Sequence, residues 1–201
     1  MRSLEEIVQT RTDLKGPELA HLHKLSSDWQ LIADLSFADL AIWIPARDSG
    51  YIALSHVRAA TAATVFPQDF VGELRTELPN GESVDSFPIS FQGKVVAQLT
   101  RHRNPQVNRS LGRLESTYQE IAQQLIEMVG EGLFPFEFSI SSLNPSPRVG
   151  DGFIRLDRSG VITYASPNGR SAFSRLGWEG ELEGIRSEER RVGKECRSRW
   201  S

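Results

Sequence analysis

Two strand–turn–strand segments limit this chain more than any other feature. FADLAIWIPA and GYIALSHVRA, joined through Arg47-Asp48-Ser49-Gly50, are rich in β-branched and aromatic residues on either side of a turn. SVDSFPISFQGKVVAQLTRHR repeats the arrangement around Gln92-Gly93, a pair suited to a tight hairpin. Hairpins make antiparallel sheet, and such a sheet needs a cover for its apolar face.

Two flanking segments can supply the cover. GPELAHLHKLSSDWQLIADLSF, Gly16 to Phe37, carries Pro17 where a helix start tolerates it and spaces Leu19, Leu22, Leu25, Trp29 and Ile32 three or four apart. The spacing predicts one amphipathic helix of about five turns. RSLGRLESTYQEIAQQLIEMVGEG, Arg109 to Gly132, is more regular still: Leu111, Leu114, Tyr118, Ile121, Leu125 and Met128 alternate spacings of three and four, and Gly130 and Gly132 supply the stop. That helix either lies on its own domain or offers a dimerisation seam, and the narrowness of the stripe favours the seam.

LFPFEFSISSLNPSPRV, Leu133 to Val149, has the proline and serine content of a linker. Beyond it, GDGFIRLDRSGVITYASPNGRSAFSRLG predicts a hairpin around Asp157-Arg158-Ser159-Gly160 and a short helix from Asn168 to Leu176. The class is mixed helix and antiparallel sheet, α/β in the α+β sense. Its parts are residues 1–132, a linker over 133–149, a second segment over 150–185 and a tail over 186–201.

Composition narrows the function classes. The 201 residues carry a formal charge of −3, but the last sixteen hold six basic and three acidic side chains, so the body alone stands at −6. A body this acidic is poorly suited to non-specific nucleic-acid binding. No apolar run reaches the length of a bilayer span, and MRSLEEIVQTRTDL is acidic where a signal peptide is basic and then apolar. The protein is therefore expected in the cytoplasm, without membrane or direct nucleic-acid partners. The single cysteine, Cys196, allows no intrachain disulfide and no paired metal site, and the glycosylation sequon at Asn108 has no chemistry in a cytoplasmic protein.

Catalytic motifs are absent: there is no GxxxxGK, GxSxG, HExxH or GxGxxG. His21 and His23 stand two apart on a predicted helix and face different ways, against shared metal ligation. Arg101-His102-Arg103 ends a strand, where it can meet an anionic ligand or simply blunt a solvated edge. His56 and Arg58 alternate with Val57 and can share a face of the sheet, which makes them pocket candidates. Trp29 and Trp43 read as core.

The order of elements resembles a GAF domain followed by the start of a PAS domain. SSDWQLIADLSFADLAIWIP, GKVVAQLTRH, LESTYQEIAQQLIEM and GDGFIRLDRSGVITYASPN with ELEG closely resemble the amino-terminal half of actinobacterial cytosolic sensor histidine kinases of the PdtaS type, over most of Met1 to Ile185. The resemblance implies a GAF-like sheet with flanking helices, a heptad linker helix and an incomplete PAS-like hairpin and helix. It also implies a sensor that regulates autophosphorylation and phosphotransfer to an antiterminator-type response regulator, while the heptad seam makes a homodimer the expected form. The ligand is unknown, a cyclic nucleotide being one candidate, and ATP and magnesium enter only through a kinase region. No histidine here sits in the family's phosphoacceptor HHRVKNN motif, so no catalytic residue is expected.

The sequence departs from that pattern in two places. The stretch ELRTELPNGES is short where relatives carry a helix over the pocket, and Ala53 and Val57 stand where some relatives have cysteines. A ligand-free dimerisation scaffold and a sensor coupled to another output, such as cyclic-dinucleotide turnover, are the competing readings. The tail RSEERRVGKECRSRWS resembles a translated sequencing adapter and is expected to be foreign to the protein. The PAS-like hairpin, being two-stranded, is expected to be loosely held on its own.

Overall fold

The computed structural model describes Val8 and residues 10–105, 112–135 and 148–187. The chain forms two compact units, residues 1–147 and 148–201. The adapter-like residues 188–201, Leu111 of the predicted seam, Asn108 and most of the predicted linker lie outside the described residues.

In the first unit, helix α1 spans Gly16–Asp28 and α2 spans Gln30–Ser36. The backbone N–H of Lys15 donates to Glu18 at 2.7 Å, which fixes the start and lowers the Glu18 pKa. The single long helix expected from the spacing is broken at Trp29. Ser26 and Ser27 donate their hydroxyls back to the carbonyls of His23 and Lys24, at 2.9 and 2.8 Å, and so compete with the helical ladder just before the break. The apolar period continues across it: Leu22, Leu25, Trp29 and Ile32 are all buried. Phe37 then adopts a left-handed conformation (φ 50°) that ends α2 and turns the chain into the sheet.

The sheet is antiparallel, with strands β1 Ala38–Pro45, β2 Tyr51–Val57, β3 Leu74–Arg75, β4 Val84–Phe91 and β5 Lys94–Arg103 in the spatial order β3-β2-β1-β5-β4. Both expected hairpins form, and the β4–β5 turn places Gln92 (φ 50°) and Gly93 (φ 77°) in the left-handed region that a tight two-residue hairpin requires. No pattern in the sequence marks the two-residue strand β3. It pairs with Tyr51 and Ile52; Gly50, just before them, has φ 82°, and a Cβ there would stand 2.1 Å from the carbonyl oxygen of Arg75, so the close approach of β3 requires glycine.

Central β1 is buried from Ala38 to Ile44 because both faces are covered. One face sends Leu40, Ile42, Ile52, Ile89 and Leu99 into a core with α1, α2 and the long helix α3, Arg113–Glu131. The other face carries Ala41, Trp43 and Ala53 under Phe66, with Val65 and Phe70 packed beside them.

Helix α3 starts where Glu115 accepts from the backbone N–H of Gly112 at 2.8 Å and stops at Gly132, φ 74°. Its buried residues are Ile121, Ala122, Ile126 and Val129. The predicted seam is therefore divided. Ile121 is buried, Leu125 packs against the core and Tyr118 stacks with Phe37 at 6.4 Å, while Leu114 is 45% exposed. Tertiary packing rotates the buried stripe toward Ala122, a residue too small to mark the face in the sequence pattern.

In the second unit, β6 Ile154–Leu156 and β7 Ile162–Ala165 form the expected hairpin, followed by α4, Pro167–Arg175. Asp157 accepts from the N–H groups of Ser159 and Val161 and so holds the turn. Ser166 caps α4 through the Gly169 N–H and also accepts from the Phe153 N–H. Ile162, Ala165 and Leu182 make a small core, and Arg170 is paired with Glu183. Backbone hydrogen bonds join Ile162 to Ile185 and Gly160 to Ser187. The described pairing thus runs two residues past Ile185, through main-chain groups that any side chain would supply.

Candidate sensory site

The second face of the sheet is roofed by a strap over residues 58–73 that has no helix or strand. Two carboxylates fasten its first half. Asp39 on β1 accepts from the N–H groups of Ala59 (2.9 Å) and Val65 (2.7 Å) and from the Thr64 hydroxyl. Asp34 on α2 accepts from the Ala60 N–H at 2.8 Å, and its carbonyl accepts from the Thr61 hydroxyl at 2.6 Å. Both side chains are buried, and such carboxylates depend on donors of this kind. They flank Phe37, so the strap is tied to the α2–β1 corner.

The second half of the strap turns Phe66 and Phe70 toward the sheet. They meet edge to face at 4.8 Å, and Phe70 stacks on Trp43 at 5.7 Å and on His56 at 4.7 Å. Asp69 accepts from the Val71 N–H and from His56 Nε2, both at 3.0 Å, which holds its carboxyl below the ordinary range. Between strap and sheet lies a cavity of about 370 Å³ whose walls include Trp43, Phe66, Phe70, Arg75 and His102.

One hydroxyl joins two rings of its floor. Thr100 accepts from Trp43 Nε1 at 2.8 Å and lies 2.8 Å from His102 Nε2. Burial pushes the His102 imidazole down to about 4, against the pull of Asp39 and with help from the charge of Arg75. His102 is therefore neutral near pH 7. The Thr100 oxygen accepts from Trp43 and keeps a second lone pair and its own proton for the imidazole.

The four predicted pocket residues separate. His102 lines the cavity. His56 stands one ring behind it, against Phe66 and Phe70, with its Nδ1 buried and without a protein partner. Arg58 is exposed and donates to the carbonyl of Phe66 at 2.9 Å, so it holds the strap. Arg101 projects from the opposite face, as the alternation of a strand demands. There it pairs with Asp85 at 2.8 Å and lies over Phe87 at 5.1 Å. A larger hollow of about 630 Å³ lies on that side, lined by Arg101, Arg103 and the polar flank of α3. Asp85 pairs with both arginines, and Glu120 and Glu127 also line the hollow, which makes it a poor anion site.

Sequence reasoning missed Phe66, Phe70, Asp39 and Arg75. The one available signal was two phenylalanines four apart in a segment otherwise without periodicity. His21 sits against Phe91, 4.9 Å away, and burial lowers its pKa, while His23 is exposed. Among the described residues no three acidic, histidine or cysteine side chains are grouped to hold a metal, and no helix is long and apolar enough to cross a membrane.

A sheet sealed by helices on one side and roofed on the other by a strap over an aromatic cavity is the architecture of a GAF-type sensory domain. The GAF domain of histidine kinase PdtaS matches residues 4–86. The sensor histidine kinase PdtaS of Mycobacterium tuberculosis (strain H37Rv) is 37% identical over 214 residues, covering 92% of this chain and 42% of the relative. The PdtaS of Mycolicibacterium smegmatis is 35% identical over 211 residues, again 92% and 42%. A solved sensor region of a sensor histidine kinase superposes with a TM-score of 0.80 at 38% identity, covering 92% of this chain and 73% of that one. The chain belongs to the PdtaS family of sensor histidine kinases and corresponds to its sensory region. It spans less than half the length of the curated relatives it matches. Those alignments run longer than the 201 residues of the chain itself, so the relatives carry residues that this chain lacks within the matched stretch.

Proposed function

We propose that this chain is the ligand-responsive input region of a cytoplasmic two-component kinase and performs no phosphotransfer itself. One observation carries the reading: the strap over the cavity is fastened to Asp34 on α2, and α3 packs on α2. Occupancy of the cavity shifts the strap, the strap biases α2, and α2 resets α3, the helix that leads out of the domain. In the intact protein the second unit acts as the first part of a PAS domain and passes this bias to a kinase region. That region uses ATP and magnesium and phosphorylates an antiterminator-type response regulator. The protein works as a homodimer joined along the exposed flank of α3 near Leu114.

The test is a chimaera of residues 1–185 with the kinase region of the M. tuberculosis relative. Phe66→Trp, which overfills the cavity, is expected to change autophosphorylation at least severalfold, and the chain alone is expected to show none. An unchanged rate in the Phe66→Trp chimaera refutes the sensory reading and leaves the ligand-free scaffold.

A further inference from the structure

The tripeptide Pro-Asn-Gly occurs at Pro79-Asn80-Gly81 and again at Pro167-Asn168-Gly169, and the fold treats the two copies differently. The second copy opens helix α4. Its Gly169 N–H donates to the Ser166 hydroxyl at 3.1 Å, and the Asn168 side-chain amide donates to the Gly150 carbonyl at 3.0 Å. Gly169 is also buried, with the Phe153 carbonyl oxygen 3.0 Å from where a Cβ would stand, so this peptide is held on every side. The first copy lies in the loop between β3 and β4, where Asn80 and Gly81 are both exposed. Gly81 has φ 141°, a region glycine enters freely, and outside its chain neighbours no atom comes within 4 Å of its Cβ position. Among the described residues, neither the Gly81 N–H nor the Asn80 side chain has a hydrogen-bond partner.

We propose that Asn80-Gly81 is a site of spontaneous covalent modification, at which Asn80 converts to aspartate and isoaspartate through a cyclic imide, and that the fold protects Asn168-Gly169 from the same reaction. Hydroxide takes the proton of the Gly81 N–H, and the nitrogen attacks Cγ of Asn80. The new N–Cγ bond closes the imide as the Cγ–Nδ2 bond breaks, and ammonia leaves with a proton from water, which restores the hydroxide. A second water then opens the ring: breaking the N–Cγ bond gives aspartate, and breaking the original main-chain bond gives isoaspartate. Glycine favours closure because no side chain shields its nitrogen, and an exposed loop can reach the ring geometry. At Asn168 the hydrogen bonds to Ser166 and Gly150 must break first. The product adds a negative charge beside Glu82, and isoaspartate also lengthens the main chain just before Gly81. The Gly81 carbonyl accepts from the Val84 N–H at 3.0 Å, and the Ser83 carbonyl accepts from the Arg103 N–H at 2.8 Å, so the change falls where the β4–β5 ladder begins and loosens it.

Incubation of the full chain in warm, mildly alkaline buffer, followed by peptide mapping with mass spectrometry, tests this. Asn80 is expected to convert at least about tenfold faster than Asn168, the factor that the extra hydrogen bonds at the second copy can supply. Its rate should rise in proportion to hydroxide, and an isoaspartyl methyltransferase should label the product. In urea, where the fold is lost, the two asparagines should convert at similar rates. Asn80→Gln, whose ring closure is slower, should abolish the labelling of this loop, and the converted parent should exchange the Arg103 amide faster than the fresh one. The proposal is overturned if Asn80 stays intact, if both asparagines convert equally fast in the folded chain, or if aspartate forms without isoaspartate. A difference that persists in urea places the selectivity in the sequence and overturns the protective role of the fold, and unchanged Arg103 exchange overturns the effect on β4.

Discussion

The two faces of the five-stranded sheet are closed by different physics. On the helix side, Ile42, Leu99, Leu25 and Ile126 bury apolar surface with periodic spacing, and the cover is regular structure. On the strap side the cover is irregular, and its position depends on carboxylates taking hydrogen bonds from a handful of amides. The first kind of closure is non-directional and cooperative, while the second is local and directional. A domain built this way can keep its core while part of its roof moves.

The contrast is sharpest in stability. Ile42→Ala, on the helix side, is expected to cost about 2–5 kcal/mol in a denaturant titration, since a fully buried side chain leaves a cavity. Asp39→Asn should cost less, about 1–3 kcal/mol, and should speed amide exchange over residues 59–66 while leaving α1 protected. Equal global losses, with α1 deprotected in both variants, would show that the strap belongs to the core and would break the comparison.

A pH series probes the floor beneath that roof. The His102 pKa is about 4 in the folded protein against 6.5 for an ordinary imidazole, so below pH 6.5 the unfolded chain takes up a proton that the folded one refuses. Stability should therefore be constant above that pH and fall as the pH drops toward 4. His21 acts in the same direction, and Asp69 and Glu18 add their losses only at lower pH. His102→Gln should flatten the change in melting temperature between about pH 7.5 and 5; a slope identical to the parent's would contradict the neutral imidazole.

The smallest effect belongs to the outer flank of α3. Leu114→Asp touches an exposed position, so stability should shift by no more than about 0.5 kcal/mol. Light scattering should nevertheless fall to the monomer mass if the homodimer uses this flank. An unchanged mass excludes it.

The same contrast explains what the sequence could tell. The hairpins, their turn residues, the apolar stripe of α1 and α2, and α4 were legible because repeating burial leaves a repeating pattern. The break at Trp29 was not, because serine side chains displace helical hydrogen bonds without disturbing the spacing of Leu25, Trp29 and Ile32. The place of Ala122 in the buried stripe of α3 was not legible either, because so small a residue does not mark a face. His102 and Arg101 stand side by side in the sequence, yet adjacent strand residues part to opposite faces, so only His102 lines the cavity. Phe70 and Arg75 were out of reach: they arrive at the cavity on a strap and a two-residue strand, whose paths depend on Asp39, Asp34 and Gly50 rather than on any local preference.

The rims of the sheet bear on a different matter, the company this protein can keep. At one rim β3 offers only two residues. At the other, β4 carries Pro88, which has no N–H to give, and an irregularity between Ile89 and Ser90 that disturbs the ladder. A foreign strand therefore finds no continuous template at either end, which is how sheets resist templated aggregation. Molecules crowded together by a shared signal can meet through helix flanks and loops without zipping into fibres.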